Sequence, residues 1–147
     1  MKLLILSDLH LEFAPFEPAT DLVFDVVILA GDIHSPAKRA IEWAMERFPG
    51  KPVVYAPGNH EYYDGHLDKT LAEARRAAEG SHVHLLDGDV LVIVGVRFLG
   101  ATLWTDFALA IDAPEGRVSD VSWAMKQATG VLNDYALIRT PDETAEA

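Results

Sequence analysis

Three short stretches carry side chains suited to chemistry: Ser7-Asp8-Leu9-His10, Gly31-Asp32-Ile33-His34 and Gly58-Asn59-His60-Glu61. Each follows an apolar, β-branched run, so each lies where a buried strand surfaces. Carboxylate, imidazole and amide oxygen gathered in one place suit a divalent transition ion better than calcium or a thiolate-loving metal. Asp8 and His10 are two apart, so an extended backbone would point both side chains the same way. The glycines beside Asp32 and Asn59 allow sharp turns and close approach of a ligand. Asn59 offers a carbonyl oxygen to a metal, and His60 stands beside it for proton transfer. Taken singly, each residue is ordinary turn or capping chemistry.

The elements that must position these residues follow from hydrophobic spacing. "KLLILS", "VFDVVILA" and "KPVVYAP" read as buried strands, expected to be parallel neighbours with the polar residues at their carboxyl ends, where ligands gather in such sheets. "PAKRAIEWAMERF" reads as a helix with Ala40, Ile41, Ala44, Met45 and Phe48 inward and Pro36 near its start. "HLDKTLAEARRAAEG" reads as a second helix, with Leu67, Leu71, Ala74 and Ala78 inward and Gly80 at its end. "HVHLL", the turn "DGD" and "VLVIVGVRFLGATLW" then read as consecutive short strands forming a hairpin. The run from Val90 to Leu103 is apolar on both strand faces, which predicts cover on both sides. A last helix is expected near "SDVSWAMKQATGVL", with Ser119 as N-cap, and a polar tail over 141–147 beyond a single domain of 1–140.

Composition narrows the function. The 147 residues fit one domain, and the absence of cysteine removes disulfides, zinc–thiolate sites and cysteine nucleophiles. Twelve basic against 23 acidic residues give a net charge of −11, which disfavours a nucleic-acid reader. Part of that acidity is surplus only when bound cations are left out of the sum. The apolar run Leu3–Leu6 is far short of a signal-peptide core, and no stretch spans a bilayer, so a cytoplasmic location is expected.

"DLH", "GD" and "GNHE", in this order and separated by strand–helix units, resemble the first half of the calcineurin-like metallophosphoesterases, and "GVRFLGATLWTDF" resembles a stretch of bacterial members. The resemblance runs from Met1 to about Thr140. It implies an α/β fold, a metallophosphoesterase-type αββα sandwich incomplete on its C-terminal side. It implies a metal-dependent phosphoester hydrolase in which Asp8 and His10 hold one ion, Asp32 bridges two, Asn59 binds the second, and His60 protonates the leaving oxygen. The ions would be manganese, iron, zinc or nickel, with manganese favoured, one or two per chain, activating water for in-line attack on a small phosphomonoester or phosphodiester.

The family's later histidines, one alone and two in a Gly-His-x-His motif, are missing: the six histidines end at His84. One ion is therefore expected to bind moderately and the second weakly. The alternative is a truncated, catalytically impaired module that binds metal, phosphate or a protein partner. Missing strands would leave an apolar edge or face open, which predicts a homo-oligomer. Glu61 is expected to orient a neighbouring histidine or to face water. His34 is expected to be a loop histidine rather than a replacement ligand, His82 and His84 to be structural, His66 to lie at the surface, and Trp43, Trp104 and Trp123 to belong to core or interface.

Overall fold

The computed structural model describes residues 1–114 and 116–140. Strands β1 (Leu3–Leu6) and β2 (Val26–Ala30) are followed by helix α1 (Ala37–Arg47), strand β3 (Val53–Ala56) and a 3-10 turn at His60–Tyr62. Strand β4 (Gly65–His66) leads into helix α2 (Leu67–Ala78) and strand β5 (Val83–Leu85). The chain continues through β6 (Asp89–Ile93), β7 (Val96–Gly100), β8 (Ile111–Ala113) and β9 (Gly116–Val118). The described elements close with α3 (Val121–Val131), a single-turn helix α4 (Asp134–Leu137) and β10 (Ile138–Arg139).

Strands β1, β2, β3 and β5 form one parallel sheet in the order β1-β2-β3-β5, so the first three strands are neighbours, as their sequences require. Side chains alternate across it. Leu4, Leu6, Val27, Leu29, Val53, Tyr55, Val83 and Leu85 face α1 and α2 and make the main core with Ala37, Ala40, Ile41, Ala44 and Ala74. Alanines dominate the helix side of this layer, which lets α1 and α2 lie close to the sheet and to each other. Met45 is exposed rather than inward, whereas Ala37, the first residue of the helix, is buried in the core.

The opposite face is covered more thinly. Val26, Val54 and Leu86, with Ile28, pack under Leu91, Ile93 and Phe98 of the β6–β7 hairpin. The hairpin alternates, so Val90, Val92 and Leu99 point outward and are exposed, with Leu103 97 % exposed just beyond it. The expectation that Val90 to Leu103 is covered on both sides is therefore wrong for the described residues: an apolar run need not be a two-sided strand when the layer that would cover it is absent. On the edge strand β1, Leu3 and Ile5 are also exposed, Ile5 to 63 %. The second layer of the sandwich is thus one hairpin, in an α/β fold whose helices lie on the other face.

Helix α3 starts at Asp120, whose carboxylate accepts the Trp123 N–H at 2.9 Å, so Asp120 and not Ser119 is the cap. The Ser119 hydroxyl instead donates to the Ala108 carbonyl at 3.3 Å. Only Ala128 of α3 is buried, and Trp123 is exposed. The chain end returns to the main layer through β10, which pairs with β4, and through Asp64 N–H donating to the Leu137 carbonyl at 2.8 Å. The tail 141–147 lies outside the described residues. Among the described residues no helix is long and apolar enough to cross a membrane.

Candidate metal centre

Strand β1 stops at Leu6, yet the chain does not leave the sheet. Asp8 N–H donates to the Gly31 carbonyl, His10 N–H to that of Asp32 and Leu11 N–H to that of Ile33, each at 3.0 Å. The loops after β1 and β2 therefore run side by side over the carboxyl edge. To do so the backbone turns left-handed at Asp8, His10 and Asp32, with φ of 53°, 45° and 54°. The extended geometry expected for Asp8-x-His10 is therefore replaced by a coiled one, because pairing with residues 31–33 forces the chain to turn. Asp and His are among the residue types that tolerate this region best.

The side chains nonetheless converge. Asp8, His10 and Asp32 each present one ligand atom, all within 4.8 Å of one another. Two glycines make room. A Cβ on Gly31, itself at φ 80°, would stand 3.0 Å from the Gly58 Cα, and a Cβ on Gly58 would overlap the Asp32 carboxylate. Asp32 Oδ1 in turn accepts the His60 N–H at 3.1 Å, which locks the tip of β3 against the tip of β2.

Glu61 supplies the strongest tie. It is fully buried, and its carboxylate accepts four bonds: from Ile33 N–H at 2.8 Å, Gly58 N–H at 2.9 Å, Tyr55 O–H at 2.9 Å and Asp32 N–H at 3.0 Å. Burial pushes its carboxyl up from the usual carboxylate range, against the downward pull of these donors. Glu61 therefore neither orients a histidine nor faces water; it clamps the two glycine turns that carry Asp32 and Asn59.

Asn59 is oriented from the far end of the chain. Its Nδ2 donates to Asp134 Oδ1 at 2.7 Å and to the Tyr63 hydroxyl at 3.1 Å, while that hydroxyl donates to the same Asp134 oxygen at 2.8 Å. Desolvation, then the Asp134 carboxylate, pushes Tyr63 up to about 12, so the phenol keeps its proton at neutral pH. A carboxylate only accepts, so the amide nitrogen must face Asp134 and the amide oxygen is left for another partner. The His60 ring lies 4.5 Å from that of His10, edge to face, and stacks on Tyr63 at 4.3 Å.

Glu12, a residue that no strand-end motif singles out, also reaches the cleft. Its Oε1 lies 3.5 Å from His10 Nδ1, and its Oε2 accepts the Ser35 N–H at 3.3 Å and lies 3.9 Å from His34 Nδ1. His34 Nδ1 is 2.7 Å from the Ser35 carbonyl and so donates there, as befits a loop histidine. His66 is half-buried at the start of α2 rather than at the surface, because β4 and β10 pair over it. His82 directly precedes β5, its carbonyl accepting the Val53 N–H, and His84 lies within β5 opposite Val54. Trp104 contacts the Tyr62 ring at 5.9 Å and lines, with Phe107, Leu132, Asp134 and Tyr135, an apolar cavity of about 250 Å³. A second depression of about 240 Å³ is lined by Gly31, Gly58, Asn59, Thr102 and Leu103.

The Asp8–His10–Asp32 donor set fits a divalent transition ion: two carboxylates and an imidazole converge. Glu61, Asp134, Tyr63 and Glu12 are the contributors that sequence reasoning missed or misread. Glu61 had a signal in its place within "GNHE"; Asp134, Tyr63 and Glu12 had none, because the contacts that fix them, Asp134 with Asn59 and Tyr63 and Ser35 with Glu12, join segments far apart in sequence.

No curated protein is significantly similar in sequence to this chain. Residues 1–112 match the family model described as calcineurin-like phosphoesterase, a span that contains Asp8, His10, Glu12, Asp32, Asn59, His60 and Glu61. On that match, joined to a parallel sheet whose tips carry the convergent donors, the chain belongs to the calcineurin-like phosphoesterase family.

Proposed function

We propose that this protein is a metal-dependent hydrolase of small phosphomonoesters or phosphodiesters. The observation that carries the reading is the convergence of Asp8, His10 and Asp32 from two strand tips to within 4.8 Å. These three residues would hold the first ion, with manganese favoured, and Asp32 and the Asn59 amide oxygen would serve a second, more weakly bound one. The metal, when bound, supplies charge neutralisation for the phosphoryl oxygens and lowers the pKa of water.

The chain's own residues do the rest. Glu61 holds the two glycine turns so that Asp32 and Asn59 keep their separation through turnover. Asp134 and Tyr63 turn the Asn59 amide so that its oxygen faces away from them. His60, stacked on Tyr63, would carry a proton to the leaving oxygen.

A second reading, an impaired module that binds metal or phosphate without turnover, is favoured by one feature. The group that meets the Asn59 amide in the cleft is the Asp134 carboxylate and not an imidazole. One experiment separates the two. Metal-stripped protein is reloaded with manganese and given a chromogenic phosphodiester, with Asp32→Ala alongside and metal content measured for both. The hydrolase reading expects turnover that Asp32→Ala abolishes. Bound metal with no turnover supports the module, and turnover unchanged in Asp32→Ala overturns the assigned site.

A further inference from the structure

We propose that Glu12 is an ion ligand: with His10 and His60 it forms a site of two imidazoles and one carboxylate for a divalent transition ion, beside the Asp8–His10–Asp32 group and sharing His10 with it. The inference concerns the same cleft as the hydrolase reading and deepens it, but does not depend on turnover.

Three observations support it. One ligand atom from each of His10, Glu12 and His60 lies within 4.8 Å of the others, and all three residues are half-buried. His10 Nδ1 is buried without a hydrogen-bond partner among the described residues, although Glu12 Oε1 stands only 3.5 Å away. That separation is long for a hydrogen bond. It matches neighbouring donors in a tetrahedral shell, which are about 3.4 Å apart when metal–ligand bonds are about 2.1 Å. Finally, the Glu12 carboxylate is anchored by its other oxygen, which accepts the Ser35 N–H at 3.3 Å and leaves Oε1 directed at His10.

The donor set selects among ions. Two imidazoles and a carboxylate favour zinc, cobalt or iron over calcium and magnesium, which take oxygen shells. An ion held here occupies a lone pair on the His60 ring. That nitrogen carries no proton while the ion is held, and the other ring nitrogen keeps its N–H. The rival account, in which Glu12 only orients the His10 ring from outside the ion's shell, also lets Glu12→Gln weaken metal at the Asp8–His10–Asp32 group, but it leaves no zinc site once Asp8 and Asp32 are replaced.

The test uses the full chain and reads zinc affinity by competition with a chromophoric chelator, together with the visible absorption of the cobalt-loaded protein. Glu12→Gln is expected to weaken zinc by at least about tenfold and to change the cobalt spectrum. The double variant Asp8→Asn with Asp32→Asn is expected to keep a zinc site that Glu12→Gln then removes. Because Glu12→Gln also alters the bond to Ser35, Glu12→His serves as a second variant: it replaces one ligand by another and is expected to restore zinc binding. The proposal is overturned if folded Glu12→Gln binds zinc as the parent does, or if the folded double variant binds none. Failure of the hydrolase reading shows separately, as phosphodiester turnover indifferent to Asp32→Ala.

Discussion

At the scale of single residues, the cleft is held in a costly conformation. Asp8, His10 and Asp32 all lie at positive φ, where a side chain meets its own backbone. Such strain persists only where neighbours over-determine it, and here the bonds from Asp8, His10 and Leu11 N–H to the carbonyls of 31–33 do so. Replacing Asp8 by glycine should therefore stabilise the metal-free protein by up to about 1 kcal/mol in chemical denaturation. The same variant should bind manganese more weakly. A loss of stability in metal-free buffer would show that Asp8 makes a fold contact rather than waiting for a cation. The residue types of this cleft were legible in the motifs, but their backbone was not. Nothing in "SDLH" announces left-handed turns, because these follow from pairing with a segment over twenty residues away.

At the scale of elements, strand and helix identities follow from hydrophobic spacing, while the turns and the tethers between elements do not. The β6–β7 hairpin turns through Val94 and Gly95, both at positive φ, the conformation that favours Asn-Gly. A β-branched valine is a poor choice there, and Val94 is 89 % exposed, so its side chain makes little packing to lose. Val94→Asn should raise stability by about 1 kcal/mol, seen as a higher denaturant midpoint at unchanged slope. A lower midpoint would place the valine in a contact that the free chain does make. The Glu61 clamp is the converse case. Its four partners come from β3 and from the turns behind β2 and β3, and a buried carboxylate reads in sequence like any charged loop residue until those donors are brought around it.

At the scale of the whole molecule, one sheet face is well covered by α1 and α2 and the other by a single hairpin. Leu3 and Ile5 on the edge strand stay exposed, as do Val90, Val92 and Leu99 on the outside of the hairpin. Open edges and apolar patches of this kind favour association, whereas a net charge of −11 opposes it. The balance predicts a concentration-dependent dimer in sedimentation equilibrium that tightens as salt screens the repulsion. Leu3→Glu with Ile5→Glu should return it to monomer; a parent chain monomeric at all salt concentrations would exclude the prediction.

The sequence by itself determined the parallel order of the first strands, the two helices, and the placing of Asp8, His10, Asp32, Asn59 and His60 at the strand tips. Short-range periodicity and motif order encode these features, and both are local. Only the tertiary structure decided that Asp134 orients Asn59, that Glu61 clamps two turns, that Glu12 faces His10, and that Val90 to Leu103 is covered on one side alone. Asp134 with Asn59, Glu61 with Asp32 and Ile33, and the Ser35 N–H that anchors Glu12 beside His10 are meetings between segments distant along the chain, and the open face of Val90 to Leu103 is the want of a covering layer. A one-dimensional pattern of apolar residues does not say what lies opposite it.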